Sequence, residues 1–172
     1  MPSNIEIKAW VRSDFVRLRG RVAQLATETP SLMRQVDTFF RTPRGRLKLR
    51  VPSPGSVELI YYERADESGP RRSVYFVAPV ADPPALRAVL EESLGIRGVV
   101  RKTRELFIAG DTRVHIDDVE SLGRFLELEV MLSDGGEAAG RTRCRELMDS
   151  LGVDDADLVD RAYIDMLEGQ AA

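Results

Sequence analysis

The sequence predicts an α+β fold: a largely antiparallel sheet of about eight strands with about four helices packed outside it. Two observations carry this. Apolar residues alternate with polar ones at period two in eight segments, most of them joined in hairpin-like pairs, and four further segments place apolar residues at helical spacing or between helix start and stop signals. At 172 residues the chain is read as one domain spanning 1–172, long enough to bury a substantial core.

The elements follow in order. NIEIKAW (4–10) sets Asn4, Glu6 and Lys8 on one face of a strand and Ile5, Ile7 and Ala9 on the other. Ser13 is expected to cap a helix carrying Phe15, Val16, Leu18, Val22, Leu25 and Ala26, which ends before Pro30. MRQVDTFF (33–40) and GRLKLRV (45–51) are strands joined by a turn in RTPRG. VELIYYER (57–64) leads through the polar loop ADESGPR to the strand SVYFVA (73–78). Asp82-Pro83 starts a helix that Gly95 stops. The segment 98–119 is a hairpin turning at Gly110-Asp111, and RFLELEVML (124–132) is a strand. DGGEAAGRTRCRELMDSLG (134–152) opens on glycines and turns helical, and DADLVDRAYIDMLE (155–168) is a capped helix.

Charge is high but balanced, 25 Lys+Arg against 28 Asp+Glu. That argues against a generic nucleic-acid binder, which is usually basic overall. Cys144 is the single cysteine, so no intramolecular disulfide forms and a reducing compartment is expected. No secretory signal and no apolar run of membrane-spanning length is evident, and the expected location is cytoplasmic.

Where those charges fall is the informative feature. Arg46, Lys48 and Arg50 share one strand face, Lys102 and Arg104 another, Arg113, His115 and Asp117 a third, and Glu127 and Glu129 a fourth. A solvated face usually mixes in Ser, Thr, Asn and Gln, whereas these positions are nearly all charged and segregated by sign. Converging inside a closed barrel, they would need a ligand with both demands, because buried charge is costly unless paired or coordinating. A polyphosphate with a divalent cation is such a ligand: Arg and Lys hold the phosphate oxygens and carboxylates the cation. There is no GxxxxGK[ST] loop and no GxGxxG motif. With His115 the sole histidine, a His-rich zinc site is excluded, and as a lone strand histidine it reads as structural. Tyr61, Tyr62 and Tyr75 read as packing residues.

NIEIK resembles the N-terminal ExExK signature of the CYTH superfamily, the triphosphate tunnel metalloenzymes, which include class IV adenylate cyclases and thiamine triphosphatases. QVDTFFRTPRGRLKLR, ELIYYERAD, VRKTRELF, TRVHIDDVESLGRFLELEV and AYIDML look like further blocks of that family, in its order and spanning nearly the whole chain. The resemblance implies an eight-stranded antiparallel β-barrel forming a tunnel, and a metal-dependent enzyme acting on a nucleotide or other triphosphate. It carries Glu6, Asp117, Glu127 and Glu129 over as ligands of Mg²⁺ or Mn²⁺. Lys8, Lys48, Arg50, Lys102, Arg104 and Arg113 become phosphate-facing residues, and Arg64 is added beside Tyr62, near which the family often has a lysine. Lys8, Arg113 and Asp117 are the residues placed nearest the chemistry.

Two reactions fit that reading, cyclisation of ATP to cyclic AMP and pyrophosphate, and triphosphate hydrolysis. A third reading is a polyphosphate- or nucleotide-binding module without turnover. Two departures bear on the choice. Asn4 stands where the signature has its first glutamate, so it offers an oxygen but no charge. The terminal helix also lacks the lysine that thiamine triphosphatases carry. The expected partner is a small triphosphate, with no membrane or nucleic acid, and the family resemblance adds a possible homodimer.

Overall fold

The computed structural model of the chain describes residues 2–12, 14–132 and 136–171. Its strands are β1 (Ser3–Trp10), β2 (Ser31–Phe40), β3 (Arg46–Ser53), β4 (Glu58–Arg64), β5 (Arg71–Pro79), β6 (Ile96–Ala109), β7 (Thr112–Val119) and β8 (Gly123–Met131). Every pairing is antiparallel, and the strands close into a barrel in the order β1-β5-β4-β3-β2-β6-β7-β8. Helices α1 (Phe15–Leu25), α2 (Pro83–Leu94), α3 (Gly136–Leu151) and α4 (Tyr163–Ala171) lie outside the strands. The predicted eight-stranded antiparallel barrel with external helices is therefore the observed one.

The period-two faces sort the chain into an inside and an outside. On β1, β7 and β8 the apolar set Ile5, Ile7, Ala9, Val114, Ile116, Leu126, Leu128 and Val130 points outward, where α1 and α3 cover it through Val22, Cys144, Leu147, Met148 and Leu151. Each Ile, Leu or Val among them contributes about 1.5–3 kcal/mol on leaving water, so this half of the barrel carries the main core. A side chain at Gly140 of α3 would meet Leu132 at 2.6 Å and Ile5 at 2.9 Å, so glycine lets the helix settle onto β1. Burial pushes the Cys144 thiol up to about 12, which agrees with a packing role.

Two helix starts differ from the sequence reading. The cap of α1 is Asp14, whose side chain accepts from the Arg17 amide at 3.0 Å; Ser13 lies outside the described residues, as do Asp134 and Gly135 ahead of α3. The single helix expected over 155–168 is broken. Residues 155–157 form one 3₁₀ turn, the chain then runs extended, and α4 begins only at Tyr163. The cause is strand-like pairing to β1: Leu158 bridges Ala9, and the Val159 amide donates to the Lys8 carbonyl at 2.8 Å. These contacts take backbone groups that a helix would need.

That crossing segment packs against the barrel strands. Val159, Ala162, Tyr163 and Ile164 pack against Phe39, Val100, Val119 and Phe125, with Trp10 stacked on Phe125 at 4.3 Å between ring centroids. Arg71, wholly buried, fastens it by donating from Nη1 to the carbonyls of Val159 and Asp160, both at 3.1 Å.

Candidate active site

The polar strand faces converge inside the barrel on a cavity of about 300 Å³, at the small end of the range for ligand sites. Of the residues expected in the site, Glu6, Lys8, Lys48, Arg50, Arg64, Lys102, Arg104, Arg113, Glu127 and Glu129 all line it. Asp117 does not; it lies behind the wall, fully buried.

Register sets the neighbours. Glu6 on β1 faces Glu129 on β8, and Lys8 faces Glu127. On the other side of β8, Arg113 pairs with Glu129 and His115 with Glu127. One wall of the cavity thus carries Glu6, Glu127 and Glu129 within two adjacent strands. Lys48 and Arg50 stand on β3, and Lys102 and Arg104 on β6, with β2 between them. The tunnel has an acidic wall and a basic wall.

The basic wall is held in place by two aspartates. Asp37 on β2 accepts from Lys48 Nζ at 2.9 Å and from Arg50 Nε and Nη2 at 2.9 and 3.0 Å. Asp117 accepts from Arg104 Nε and Nη2, both at 2.6 Å, from Lys102 Nζ at 3.2 Å and from the Tyr163 hydroxyl at 3.0 Å. Burial alone would raise both carboxyls. The cations more than offset it, Arg50 and Lys48 holding Asp37 well below the usual range, Arg104 and Lys102 bringing Asp117 to about 2.

The lysines respond in the opposite sense. Burial, reinforced by Arg50, lowers Lys48 to about 7, and burial lowers Lys8 to about 8 although Glu127 pulls it back. Lys8 Nζ donates to the Arg161 carbonyl at 3.1 Å, sits 3.5 Å from Glu127 and lies 3.7 Å from the Tyr163 ring centroid. Burial thus weakens the hold of both lysines on their protons, and both line the cavity.

On the acidic wall, Arg64 Nη1 donates to Glu6 at 2.6 Å, and Arg104 Nη2 donates to Glu127 at 2.6 Å. Burial raises Glu127, but Arg104 and Lys8 overcome that and keep it well below the usual range. Glu129 accepts no hydrogen bond among the described residues, and its side chain is 21% exposed. Glu127 and Glu129, beside His115, present one ligand atom each within 4.8 Å of one another, and oxygen donors at that spacing fit a hard divalent cation.

Several participants escaped the sequence reading. Asp37 sits in QVDTFF, where the apolar pair Phe39-Phe40 masks the alternation that would have put it on the inner face. Arg71 falls in a stretch read as loop, although it opens β5 opposite Glu6. Tyr163 reads as helix packing, yet it forms part of the cavity wall and supports Asp117. Tyr62 and Tyr75, which read as packing residues in the sequence, line the cavity, and period two counted back from Arg64 places Tyr62 there. Arg46, grouped with Lys48 and Arg50, instead meets Asp66 at 2.8 Å and Asp165 at 2.7 Å.

The structure is thus a closed antiparallel barrel whose interior is lined by charged side chains of both signs. The CYTH domain family model matches residues 3–163, and the chain belongs to that family. A Methanocaldococcus jannaschii protein, "Putative adenylate cyclase MJ0240", is 31% identical over 90 residues, which spans about half of each chain. Among solved structures, PH1012 from Pyrococcus horikoshii has the same fold at a TM-score of 0.82 and 24% identity, covering 94% of this chain and 98% of that one. HpAC1 from Hippeastrum, described as having a dominant triphosphatase activity, overlays at a TM-score of 0.68 with 13% identity, covering 99% and 96%. No described helix is long and apolar enough to cross a membrane.

Proposed function

We propose that this chain is a divalent-metal-dependent enzyme that acts on a nucleotide or other triphosphate held in the barrel, after the manner of a class IV adenylate cyclase. The observation that carries the reading is the grouping of charge: Glu6, Glu127 and Glu129 on the acidic wall, Lys48, Arg50, Lys102 and Arg104 on the basic one, the two meeting where Arg104 donates to Glu127. A chain of phosphates bridged to a Mg²⁺ or Mn²⁺ ion needs both.

Glu127 and Glu129, with Glu6 beside them, would hold the ion, which supplies Lewis-acid polarisation of phosphate oxygens when bound. The remaining roles belong to side chains. Arg50, Arg104 and Arg113 offer planar donors to phosphate oxygens, and Lys48 and Lys102 offer point charges. Asp37 and Asp117 hold four of those cations in place before substrate enters, so less reorganisation is needed as charge moves toward the leaving group. Lys8, lowered to about 8, suits transfer of the nucleophile's proton near neutral pH. Asp117 we assign to positioning Arg104 and Lys102, since its oxygens already receive four hydrogen bonds.

In cyclisation, the ribose 3′-hydroxyl attacks the α-phosphorus and pyrophosphate leaves. Hydrolysis by water at the terminal phosphorus is a second reading, favoured by the strongly polar lining and by the activity described for the Hippeastrum neighbour. The test incubates the purified protein with Mg²⁺ or Mn²⁺ and ATP, tripolyphosphate or thiamine triphosphate, and quantifies cyclic AMP, pyrophosphate and phosphate. Cyclic AMP with pyrophosphate supports the cyclase, and phosphate alone the triphosphatase. Tight binding without turnover overturns both in favour of a binding module.

A further inference from the structure

His115 has no role in the site as described so far. It projects from β7 on the inner face, between Val114 and Ile116, which face the core, and stands directly opposite Glu127 in the ladder to β8. It is 4% exposed, and its Nδ1 is buried without a hydrogen-bond partner among the described residues. A buried nitrogen left unpaired is costly, so its surroundings call for explanation.

Those surroundings are two carboxylates. Nδ1 lies 3.7 Å from Glu127 Oε2 and 3.8 Å from Glu129 Oε1, and one ligand atom from each of the three side chains falls within 4.8 Å of the others. The separations are too long for hydrogen bonds. They do match the spacing of ligands sharing one ion, since atoms each about 2.0–2.2 Å from a cation stand about 3–4 Å apart. Arg104 already donates to the same Glu127 oxygen, but its two bonds to Asp117 keep it in place if an ion takes that oxygen. Asn4, on the same inner face, supplies no charge.

We infer that His115 Nδ1 is a third ligand of the divalent-cation site, making it a mixed nitrogen and carboxylate site that selects first-row transition ions such as Mn²⁺ over Mg²⁺. Imidazole favours transition metals, whereas Mg²⁺ takes oxygen ligands almost exclusively. The inference rests on the carboxylate site proposed above and deepens it by naming the ion class.

The chain contains one histidine, so tag-free protein labelled with ¹⁵N-histidine gives a single imidazole pair in NMR. Zn²⁺, a diamagnetic stand-in, is expected to shift Nδ1, and excess Mg²⁺ to leave it unmoved. In parallel, Mn²⁺ and Mg²⁺ affinities are measured by calorimetry for wild type and His115→Gln. The expected result is a loss of at least about tenfold for Mn²⁺, comparable to losing even a supporting residue at a metal site, with Mg²⁺ changed far less. If Mn²⁺ binds, is lost in Glu127→Gln/Glu129→Gln, and yet Nδ1 never moves, the role of His115 is overturned while the carboxylate site stands. If no divalent ion binds, both fail. The wild-type NMR arm decides the question even if His115→Gln folds poorly.

Discussion

Two kinds of carboxylate serve the interior of this barrel, and Asp117 and Glu127, one of each kind, share the same Arg104 Nη2. Asp37 and Asp117 are 2% and 0% exposed, and each is gripped by two cations through hydrogen bonds of 3.2 Å or less. Glu6, Glu127 and Glu129 are 17%, 16% and 21% exposed and share far fewer bonds, Glu129 receiving none among the described residues. The contrast separates carboxylates already saturated by cations from carboxylates with lone pairs to spare. A saturated carboxylate fixes the cations around it, while one with free lone pairs facing the cavity can take a new cation.

Removing the free pair has the largest expected effect. Glu127→Gln with Glu129→Gln is expected to abolish metal-dependent turnover, a loss on the order of 10³-fold or more, since a bound ion supplies several kcal/mol of charge stabilisation. Steady-state assays with Mg²⁺ and Mn²⁺ check this, and unchanged activity would remove these residues from the metal site.

Asp117→Asn probes the other class. It leaves Arg104 and Lys102 short of a buried counter-charge, and breaking such a pair costs about 3–5 kcal/mol, readable as a lower urea midpoint. Glu129→Gln, by contrast, is expected to change stability by less than about 1 kcal/mol, as an unbonded, partly exposed group should. Equal destabilisation by the two substitutions would erase the distinction between strut and ligand.

The third effect depends on pH. A protonated lysine holds phosphate and a neutral one does not. With Lys48 at about 7 and Lys102 also lowered by burial and by Arg104, the KM for a triphosphate is expected to rise as pH climbs from 6.5 to 9. Lys48→Arg keeps its charge throughout that range and is expected to flatten the lower part of the rise. An identical profile would show that Lys48 does not contact substrate. The smallest effect is a gain: Asn4→Glu restores a carboxylate to the cavity wall and is expected to raise Mg²⁺ affinity by up to about tenfold, roughly 1.4 kcal/mol, by calorimetry.

The barrel was legible because a closed sheet with a helix-covered outside and a polar inside forces strict alternation on every strand. The pattern in NIEIKAW, RLKLR and FLELEV records it directly. Cations and glutamates on such strands were found by position alone, and the turn at Gly110-Asp111 and the caps at Asp82 and Gly95 follow from local chemistry. The rest depended on tertiary contact. Nothing local in RAYIDML says that the preceding residues will pair with β1 and carry Tyr163 to Asp117. Asp37 is one acid among apolar neighbours until the barrel brings Lys48 and Arg50 against it. His115 looked structural because its meaning lies in an unpaired nitrogen, which only the folded geometry exposes.

In the proposed enzyme the cation belongs to the free glutamates and the phosphates to the basic wall. Crystals grown with Mn²⁺ and tripolyphosphate, measured at the manganese absorption edge, test it most directly. The expected anomalous peak lies within bonding distance of Glu127 and Glu129, with phosphates extending toward Lys48, Arg50, Lys102 and Arg104. A peak on Asp37 or Asp117, or phosphates bound with no metal beside the glutamates, would contradict it.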